Sequence, residues 1–410
     1  MAHDGGRPVL VVGAGPVGLA AALALRHHGL AATVLEAEPE GRERAGSRAI
    51  FLHGESLEHL ESVREGLGWE IAHRGLVWTT KRTYWGDRLV YERTYPPPSG
   101  ARLPHSTNLS QVDIEAILFD AAKAAGVEFA WRQEVAGVTV VEGQGDQGGV
   151  ALRTMAGDEW RAAYVIAADG ARSAVRAGVG IELEGPRVDR EFVIVDVADD
   201  PDDPIVAERA YYYAHPAVEG RNVLLVPFAG GVRADLQLRP DDDPARFADP
   251  DGVARWIAAV LPPGYADRIT WVSSYRFRQA VATALADEAR RVLLIGEAAH
   301  LFAPFGARGL NSGIPDALVA AAAVRAALDD PAGARAAVER FATTRRTAAL
   351  YNRDAAGLAL AHMSAAGWRT RLRRRAAAVV ARRGLRAGAW LDSSPFGPRA
   401  AEFRSETGSY

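Results

Sequence analysis

Residues 8–36 constrain the fold of this chain more than any other segment. The apolar run PVLVVG is typical of a buried strand, PVGLAAALALRHHG has the apolar spacing of a helix, and ATVLE indicates a second strand. A strand, a crossover helix and a second strand form the parallel unit from which α/β sheets are built. We therefore predict an α/β fold with a doubly wound parallel sheet at its core.

The turn between the first strand and the helix carries the pattern G-x-G-x-x-G at Gly13, Gly15 and Gly18. Glycines at these positions permit a tight turn, close approach of a pyrophosphate to the backbone, and close helix–strand packing. Glu36 ends the second strand, where a carboxylate accepts hydrogen bonds from a ribose hydroxyl. The pattern predicts a dinucleotide site, with an ordinary glycine-rich turn as the alternative, and it does not distinguish FAD from NAD.

The composition restricts the class of protein. A chain of 410 residues is long enough for two fused domains, and 48 % apolar residues are ordinary for a globular protein. A formal net charge of −3 argues against a nucleic-acid partner, and the lack of cysteine excludes disulfides and thiolate metal sites. The acidic run at 241–244 has no histidine at metal spacing, so we predict no metal site.

Targeting signals are also lacking in the sequence. The N-terminus shows no leader, and no apolar stretch reaches the ~18 residues of a membrane span. We expect a cytoplasmic protein with no membrane partner, present as a monomer or homodimer.

The pattern changes after Glu191 to short β-rich runs joined by turns, such as EFVIVDVA and RADLQLRP. We predict that they form a mostly antiparallel sheet inserted into the first domain, followed by a helical C-terminal region. The expected units are a cofactor-binding domain of residues 1–75, 105–180 and 276–345, a substrate-binding β-sheet domain of 76–104 and 181–275, and a C-terminal helical region and arm of 346–410.

Two later motifs indicate which dinucleotide binds. VIAADGARSAVRAGVGI (165–181) and LLIGEAAHLFAPFGARGLNSGIPDA (293–317) are similar to the second and third motifs of class A flavoprotein monooxygenases. These are the single-component aromatic hydroxylases of the p-hydroxybenzoate and phenol hydroxylase kind. GSRAI (46–50) resembles the region after their second strand. The resemblance covers about residues 8–350 and is weakest across 181–275.

The resemblance implies tightly but non-covalently bound FAD and assigns roles to the matching residues. Arg48 and Gln111 match side chains near the ribityl and phosphate part of FAD, and Pro304 to Asn311 match the loop along the pyrimidine edge of the flavin. Within that loop, Pro304, Arg308, Leu310 and Asn311 are expected to position the flavin for catalysis. The implied cofactor-binding residues are Gly13, Gly15, Pro16, Val17, Gly18, Glu36, Arg48, Gln111, Asp169, Gly170, Gly296, Glu297, Gly306, Gly309, Leu310 and Asn311.

Glu297 departs from the family pattern, which usually has an aspartate that contacts the ribityl chain. Glutamate keeps the charge but adds a methylene, so we expect FAD still to bind, but more weakly. Three alternatives stay open: Arg48 as a surface ion-pair residue, Gln111 as a helix-start residue and Arg308 as a surface charge.

The activity that the resemblance implies is hydroxylation of an aromatic or electron-rich small molecule. NADPH or NADH serves as transient reductant, O2 as co-substrate and a flavin C4a-hydroperoxide as oxygen donor. The alternatives are an epoxidase, a Baeyer–Villiger oxygenase or a dehydrogenase on the same scaffold, and a non-catalytic flavin-binding protein. The alanine- and arginine-rich composition resembles actinomycete coding, from which we expect secondary-metabolite tailoring in antibiotic biosynthesis.

The run YYY at 211–213 is the candidate for substrate contact. On a strand, Tyr211 and Tyr213 share one face and Tyr212 takes the other. We expect Tyr211, Tyr213, Phe228 and Phe305 to line a pocket over the flavin, with ordinary sheet packing as the alternative.

The arginine-rich segment 368–390 has the apolar spacing of an amphipathic helix, with a stripe at Leu372, Ala376, Val379 and Val380. We expect this stripe to pack on the protein itself. An acidic partner or a membrane surface is the alternative.

Overall fold

The computed structural model describes residues 9–42, 50–141, 148–364, 368–381 and 385–397. The strands are β1 (Val9–Val12), β2 (Ala32–Glu36), β3 (Phe51–His53), β4 (Thr80–Trp85), β5 (Arg88–Thr94), β6 (Ser106–Asn108), β7 (Glu128–Trp131), β8 (Val135–Val141), β9 (Gly149–Thr154), β10 (Glu159–Ala162), β11 (Tyr164–Ala167), β12 (Leu183–Glu184), β13 (Arg187–Ala198), β14 (Glu208–His215), β15 (Arg221–Phe228), β16 (Gly231–Gln237), β17 (Ile269–Arg278), β18 (Ala280–Ala282), β19 (Val292–Leu294) and β20 (His300–Leu301). The helices are α1 (Pro16–His27), α2 (Gly54–Val63), α3 (Leu67–Arg74), α4 (Gln111–Ala124), α5 (Ala174–Gly178), α6 (Ala245–Ala248), α7 (Pro250–Val260), α8 (Arg308–Asp329), α9 (Ala334–Ser364), α10 (Trp368–Val380) and α11 (Leu385–Ser393).

A five-stranded sheet in the order β19-β11-β1-β2-β7 contains the first strand at its centre. All of its neighbouring strands are parallel, and the chain leaves β1 toward both edges. Its apolar strands and the apolar face of α1 form one buried core. The predicted doubly wound α/β core is confirmed.

The second large sheet has the order β17-β13-β16-β15-β14-β4-β5. Its neighbouring strands are antiparallel, except that β14 and β4 run parallel. Val193, Val195 and Val197 alternate onto one face of β13 and pack in a core that includes residues of α7. The inserted, mostly antiparallel sheet is confirmed, and β4 and β5 belong to it.

The C-terminal region is helical, as predicted, but the apolar stripe does not pack on the protein. One helix ends at Val380 and the next begins at Leu385. Leu372, Val379 and Val380 are 59 %, 66 % and 55 % exposed. The inward face instead carries Arg374, whose Nη1 donates to the carbonyls of the last turns of α9 (3.2 Å). The expectation of a buried stripe was wrong because this buried arginine turns the opposite face inward.

Helices long and apolar enough to cross a membrane are not found among the residues described here.

A buried charge cluster lies within the second sheet. Arg233 donates from Nε and Nη2 to the two carboxylate oxygens of Asp196 at 2.7 and 2.8 Å. Oδ1 of Asp235 is buried and has no hydrogen-bond partner within the described part of the chain. Burial raises the pKa of Asp235 to about 7, with Arg233 opposing the rise and Asp196 adding to it.

The raised pKa of Asp235 predicts a pH dependence of stability. The folded chain binds this proton below about pH 7, whereas the unfolded chain binds it only near the ordinary value of 3.8. The free energy of unfolding should therefore fall as the pH rises through this interval. Relative to Asp235→Asn, the wild type should lose at least about 1 kcal/mol between about pH 4.5 and about pH 7.5, measured by urea titration. An equal difference between the two proteins at both pH values would contradict the assignment.

Candidate active site

In the turn between β1 and α1, the packing of the protein itself requires glycine at two positions but not at the third. A Cβ on Gly13, which has φ +101°, would lie 2.5 Å from the Ala168 carbonyl oxygen, and one on Gly18 would lie 1.9 Å from that of Gly13. A Cβ on Gly15 would meet no described atom within 4 Å. Gly15 precedes α1, which has no side-chain cap and no acidic residue in its first turn. The turn therefore leaves open space and free helix N–H groups for an anion.

Glu36 lies at the end of β2, as predicted, and it also holds this turn. Its Oε2 accepts a hydrogen bond from Ala14 N at 2.6 Å, and its Oε1 is 2.7 Å from Arg42 Nη1. Arg42 Nη2 in turn donates to the Ala14 carbonyl (3.1 Å) and lies 3.2 Å from Glu115 Oε1. The carboxylate of Glu36 is thus oriented by the turn that it stabilises.

Gln111 is the first residue of α4, so the helix-start description of it is correct. Burial raises the pKa of the neighbouring Glu115 to about 7. The charge of Arg42 and a hydrogen bond from Gln111 act in the opposite direction and lower this pKa. Gln111 therefore faces the Glu36–Arg42 group. Its contact with a cofactor stays a prediction, and Arg48 lies outside the described residues.

Asp169 and Gly170 follow the end of β11 after one residue, Ala168. Gly170 has φ +80°, and a Cβ there would meet no described atom within 4 Å. Asp169 Oδ2 accepts a hydrogen bond from Val175 N at 3.0 Å, whereas its buried Oδ1 has no partner among the residues that the structure describes. Burial raises the pKa of Asp169. One oxygen of this carboxyl group is therefore left for a ligand or water.

The third predicted contact region begins where β19 ends. A Cβ on Gly296 would lie 3.1 Å from Val17 Cγ1, and one on Gly313 would lie 2.4 Å from Val17 Cγ2. Val17 thus packs the first turn of α1 against both the end of β19 and α8. Glu297 is exposed, and within the described ranges its carboxylate makes no hydrogen bond or ion pair.

A buried carboxylate that the sequence did not single out holds this region in place. Asp316 Oδ2 accepts from Gly296 N (3.2 Å) and lies 2.6 Å from His300 Nε2, and its Oδ1 accepts from Arg345 Nε at 2.6 Å. Burial acts to raise the pKa of Asp316, but Arg345 and His300 outweigh it and the pKa is lowered. The ionised carboxylate therefore joins the β19 turn to α8 and α9.

Asn311 attaches the start of α8 to β3 and α2. Its Nδ2 donates to the carbonyls of Phe51 (2.9 Å) and Ala307 (2.7 Å). Its Oδ1 accepts from His53 N (2.9 Å) and Ser56 Oγ (2.7 Å). Both ends of the amide are used within the protein, so the side chain of Asn311 shapes the loop.

The loop Pro304–Asn311 leads into the N-terminus of α8. Ala307 has φ 54° and provides no side-chain cap, and the first turn of α8 has no acidic residue. A Cβ on Gly309 would meet no described atom within 4 Å. The partial positive charge of this helix end therefore favours negative charge on a ligand in the adjoining space.

Arg308 is 8 % exposed, so the alternative of a surface charge was wrong. Its Nη1 donates to Asn352 Oδ1 at 2.7 Å, and its Nη2 donates to the Phe396 carbonyl at 3.0 Å. The guanidinium thus joins the start of α8 to α9 and to the 3-10 turn Ser394–Phe396.

A cavity of about 570 Å³ adjoins the loop. Two of its lining residues contact the loop directly: the Phe51 carbonyl accepts from Asn311, and a Cβ on Gly306 would lie 2.8 Å from the Phe396 carbonyl oxygen. The lining contains four aromatic and three basic or imidazole side chains and no carboxylate. It comprises Phe51, Trp78, Lys81, Arg93, Tyr95, Leu358, His362, Ser393, Ser394, Phe396 and Gly397.

The predicted substrate residues do not line this cavity. Tyr211 and Tyr213 share one strand face, as predicted, but the C-terminal helices cover that face, and the Tyr213 hydroxyl donates to the Leu391 carbonyl at 2.6 Å. Phe305 packs against Phe192, with ring centroids 5.2 Å apart. Phe228 ends β15. Their contact with a substrate stays a prediction. The aromatic lining that the sequence did not indicate comes from β3 (Phe51), from the segments just before β4 and just after β5 (Trp78 and Tyr95), and from the turn Ser394–Phe396.

The residues present fit FAD. Gly15, Gly170 and Gly309 leave space that the described residues do not fill, and Asp169 and Glu297 carry carboxylate oxygens without protein partners within the described ranges. The chain matches the protein family described as "FAD binding domain" over residues 7–352. It belongs to this family.

Relatives and solved structures agree with the family. The 3-(3-hydroxy-phenyl)propionate/3-hydroxycinnamic acid hydroxylase of Mycolicibacterium smegmatis is 27 % identical over 77 % of this chain and 54 % of that protein. The 6-methylpretetramide 4-monooxygenase of Streptomyces rimosus is 30 % identical over 76 % of this chain and 54 % of that protein. The chain spans about half the length of these curated relatives.

The crystal structure of p-nitrophenol 4-monooxygenase from Pseudomonas putida superposes with a TM-score of 0.75 at 24 % identity, covering 96 % of this chain and 99 % of that one. This likeness shows the fold. The predicted relationship to flavoprotein monooxygenases and the predicted fold class are confirmed.

Alanine substitutions at two glycines of the β1–α1 turn should have different effects. Gly15→Ala places a Cβ in the open space where we predict that the cofactor binds, so FAD affinity should fall at least about tenfold while the Tm of the apoprotein stays within about 2 °C. Gly18→Ala places its Cβ on the Gly13 carbonyl and should lower the Tm of the apoprotein itself. Thermal unfolding and FAD fluorescence titration measure both. Unchanged FAD affinity in Gly15→Ala would overturn the cofactor assignment.

Proposed function

We propose that this chain is an FAD-dependent monooxygenase that uses NAD(P)H and O2 to hydroxylate an aromatic or other electron-rich small molecule. The observation that carries the proposal is the contact between the loop Pro304–Asn311 and the aromatic-lined cavity. A flavin ring on that loop would adjoin a space large enough for a small aromatic substrate. The names of the relatives, which include hydroxylases of phenolic compounds, support the same substrate class.

The described residues divide the binding of FAD among three places. The Gly13–Gly18 turn and the N-terminus of α1 would receive the pyrophosphate, and Glu36 the ribose. Asp169, Gly170 and the free carboxylate of Glu297 would face the pyrophosphate and ribityl chain, and the loop from Pro304 to Asn311 the pyrimidine edge. When bound, FAD supplies the redox chemistry, which passes electrons from the nicotinamide to O2.

The protein's own part in the reaction is to position groups and exclude water. The uncapped N-terminus of α8 and the N–H groups of the loop would stabilise negative charge at the pyrimidine edge of a bound flavin. Asn311, whose amide is fully used by the protein, keeps the loop in this position. Per turnover one substrate, one O2, one NAD(P)H and one proton yield hydroxylated substrate, NAD(P)+ and water.

Substrate-dependent oxidation of the reductant tests the proposal. Purified holoprotein should be yellow, and a phenolic substrate should accelerate NADPH or NADH oxidation at least about tenfold, with a product heavier by one oxygen atom in mass spectrometry. Peroxide is measured in parallel, because uncoupled turnover also consumes the reductant. Bound FAD without accelerated oxidation across a panel of phenols and aryl acids would favour the flavin-binding protein instead.

Glu297 tests how the ribityl chain is held. Glu297→Asp restores the side chain usual in the family and should bind FAD at least as tightly as the wild type. Glu297→Ala removes the free carboxylate and should weaken binding by about tenfold. Glu288→Ala, at a carboxylate that precedes β19, is the control. Equal FAD dissociation constants for the alanine variant at 297 and the wild type, measured by flavin fluorescence, would exclude this contact.

A further inference from the structure

One wall of the cavity comes from the C-terminal residues. Ser393, Ser394, Phe396 and Gly397 line it, together with residues of β3, β4 and β5. We call residues 390–397 the C-terminal wall. About eighty residues separate this wall from the loop Pro304–Asn311, which we call the flavin-positioning loop, yet the two are in contact.

The start of the C-terminal wall is held by buried polar contacts to the second sheet. Asp392, 3 % exposed, forms an ion pair with Lys81 and accepts a hydrogen bond from Thr83 Oγ1 at 3.0 Å. The Tyr213 hydroxyl donates to the Leu391 carbonyl at 2.6 Å. These contacts attach residues 391 and 392 to β4 and β14, but they do not reach the residues that line the cavity beyond them.

The end of the wall is held by Arg308. Its Nη2 donates to the Phe396 carbonyl at 3.0 Å, while Nη1 is oriented by Asn352 at 2.7 Å. Asn352 Nδ2 donates to Ser312 Oγ at 2.8 Å, which connects this contact back to α8. Glycine at 397 permits the wall to approach α9 closely, because a Cβ there would lie 2.2 Å from the Ala355 carbonyl oxygen.

The ring of Phe396 is the largest side chain that the wall contributes to the cavity. Two cations lie close to this ring: Arg209 Cζ is 4.1 Å and Lys81 Nζ 5.6 Å from the ring centroid. The place of this ring therefore depends on the backbone at residue 396, which Arg308 holds, and a shift of the turn would change the width of the cavity.

We propose that Arg308 is a positioning residue that fixes the C-terminal wall against the flavin-positioning loop and so determines which substrates the cavity admits. The inference rests on the proposed function, from which the class of substrate is taken. Arg308 acts through the Phe396 carbonyl. Planar guanidinium geometry allows simultaneous donation to Phe396 and Asn352, which a lysine ammonium at the same place reproduces less well.

The test compares Arg308→Met, Arg308→Lys, Phe396→Ala and the double variant Arg308→Met/Phe396→Ala with the wild-type holoprotein. Arg325→Met is the matched control, because Arg325 lies on the same helix in an exposed ion pair with Asp329. FAD affinity, kcat and KM are measured for a small and a bulky phenol. Tryptic cleavage after Arg386, an exposed site in α11, reports whether the C-terminal wall stays attached without any substrate.

Arg308→Met should raise KM for the small phenol about tenfold and change FAD affinity and kcat by a smaller factor, because the contact that it loses is the one to the Phe396 carbonyl. Its preference for the small over the bulky phenol should fall at least about fivefold, and cleavage after Arg386 should accelerate at least about fivefold. Arg308→Lys should change each of these quantities less than Arg308→Met does. Phe396→Ala should lower the preference for the small over the bulky phenol in the same way. The double variant should lower this preference little further than either single variant does.

A loss of FAD affinity and of kcat in Arg308→Met, with the size preference and the cleavage rate unchanged, would mean that Arg308 acts on the flavin and would overturn the proposal. Unchanged values throughout would overturn it too. If the wild type turns over no phenol, the proposed function fails on its own. The cleavage rates, and phenol binding followed by flavin absorbance, then still decide whether Arg308 holds the wall.

Discussion

The carboxylate of Asp316 is the interaction on which the arrangement of the site depends. It is 0 % exposed, and it is bonded at once to the backbone that follows β19, to His300 and to Arg345 of α9. A buried carboxylate is stable only when its oxygens are satisfied, and here each one has a cationic or N–H partner. This one carboxylate therefore fixes the positions of the turn with Glu297, the start of α8 and α9 relative to one another.

Two smaller contacts extend this framework to the rest of the site. Val17 packs under Gly296 and Gly313, so the first turn of α1 and the start of α8 approach the same space. Asn311 joins α8 to β3, which carries Phe51 on the lining of the cavity. The loop Pro304–Asn311 contacts the cavity and, under the proposed function, would also contact the flavin, so the position of the flavin and the shape of the cavity would be coupled.

Much of the cofactor region could be predicted from the sequence, because its requirements are local. The glycines at 13 and 18 have almost no room for a side chain, and the strand–turn–helix pattern around them is continuous in the chain. The side chains that line the cavity could not be predicted in this way. Tyr211 and Tyr213 do share a strand face, but periodicity does not say what covers that face, and the C-terminal helices cover it. The exposed stripe of α10 shows the same limitation, since a buried Arg374 reversed the face that packs inward.

The sequence by itself determined the α/β core, the inserted sheet and the family, because strand periodicity, glycine spacing and motif order are properties of neighbouring residues. Only the tertiary structure decided which side chains meet in the cavity. Phe51, Trp78, Tyr95 and Phe396 come from segments up to 345 positions apart, and the ion pair of Lys81 with Asp392 spans 311. No short-range pattern records such pairings, because they depend on how the finished sheets and helices pack against one another.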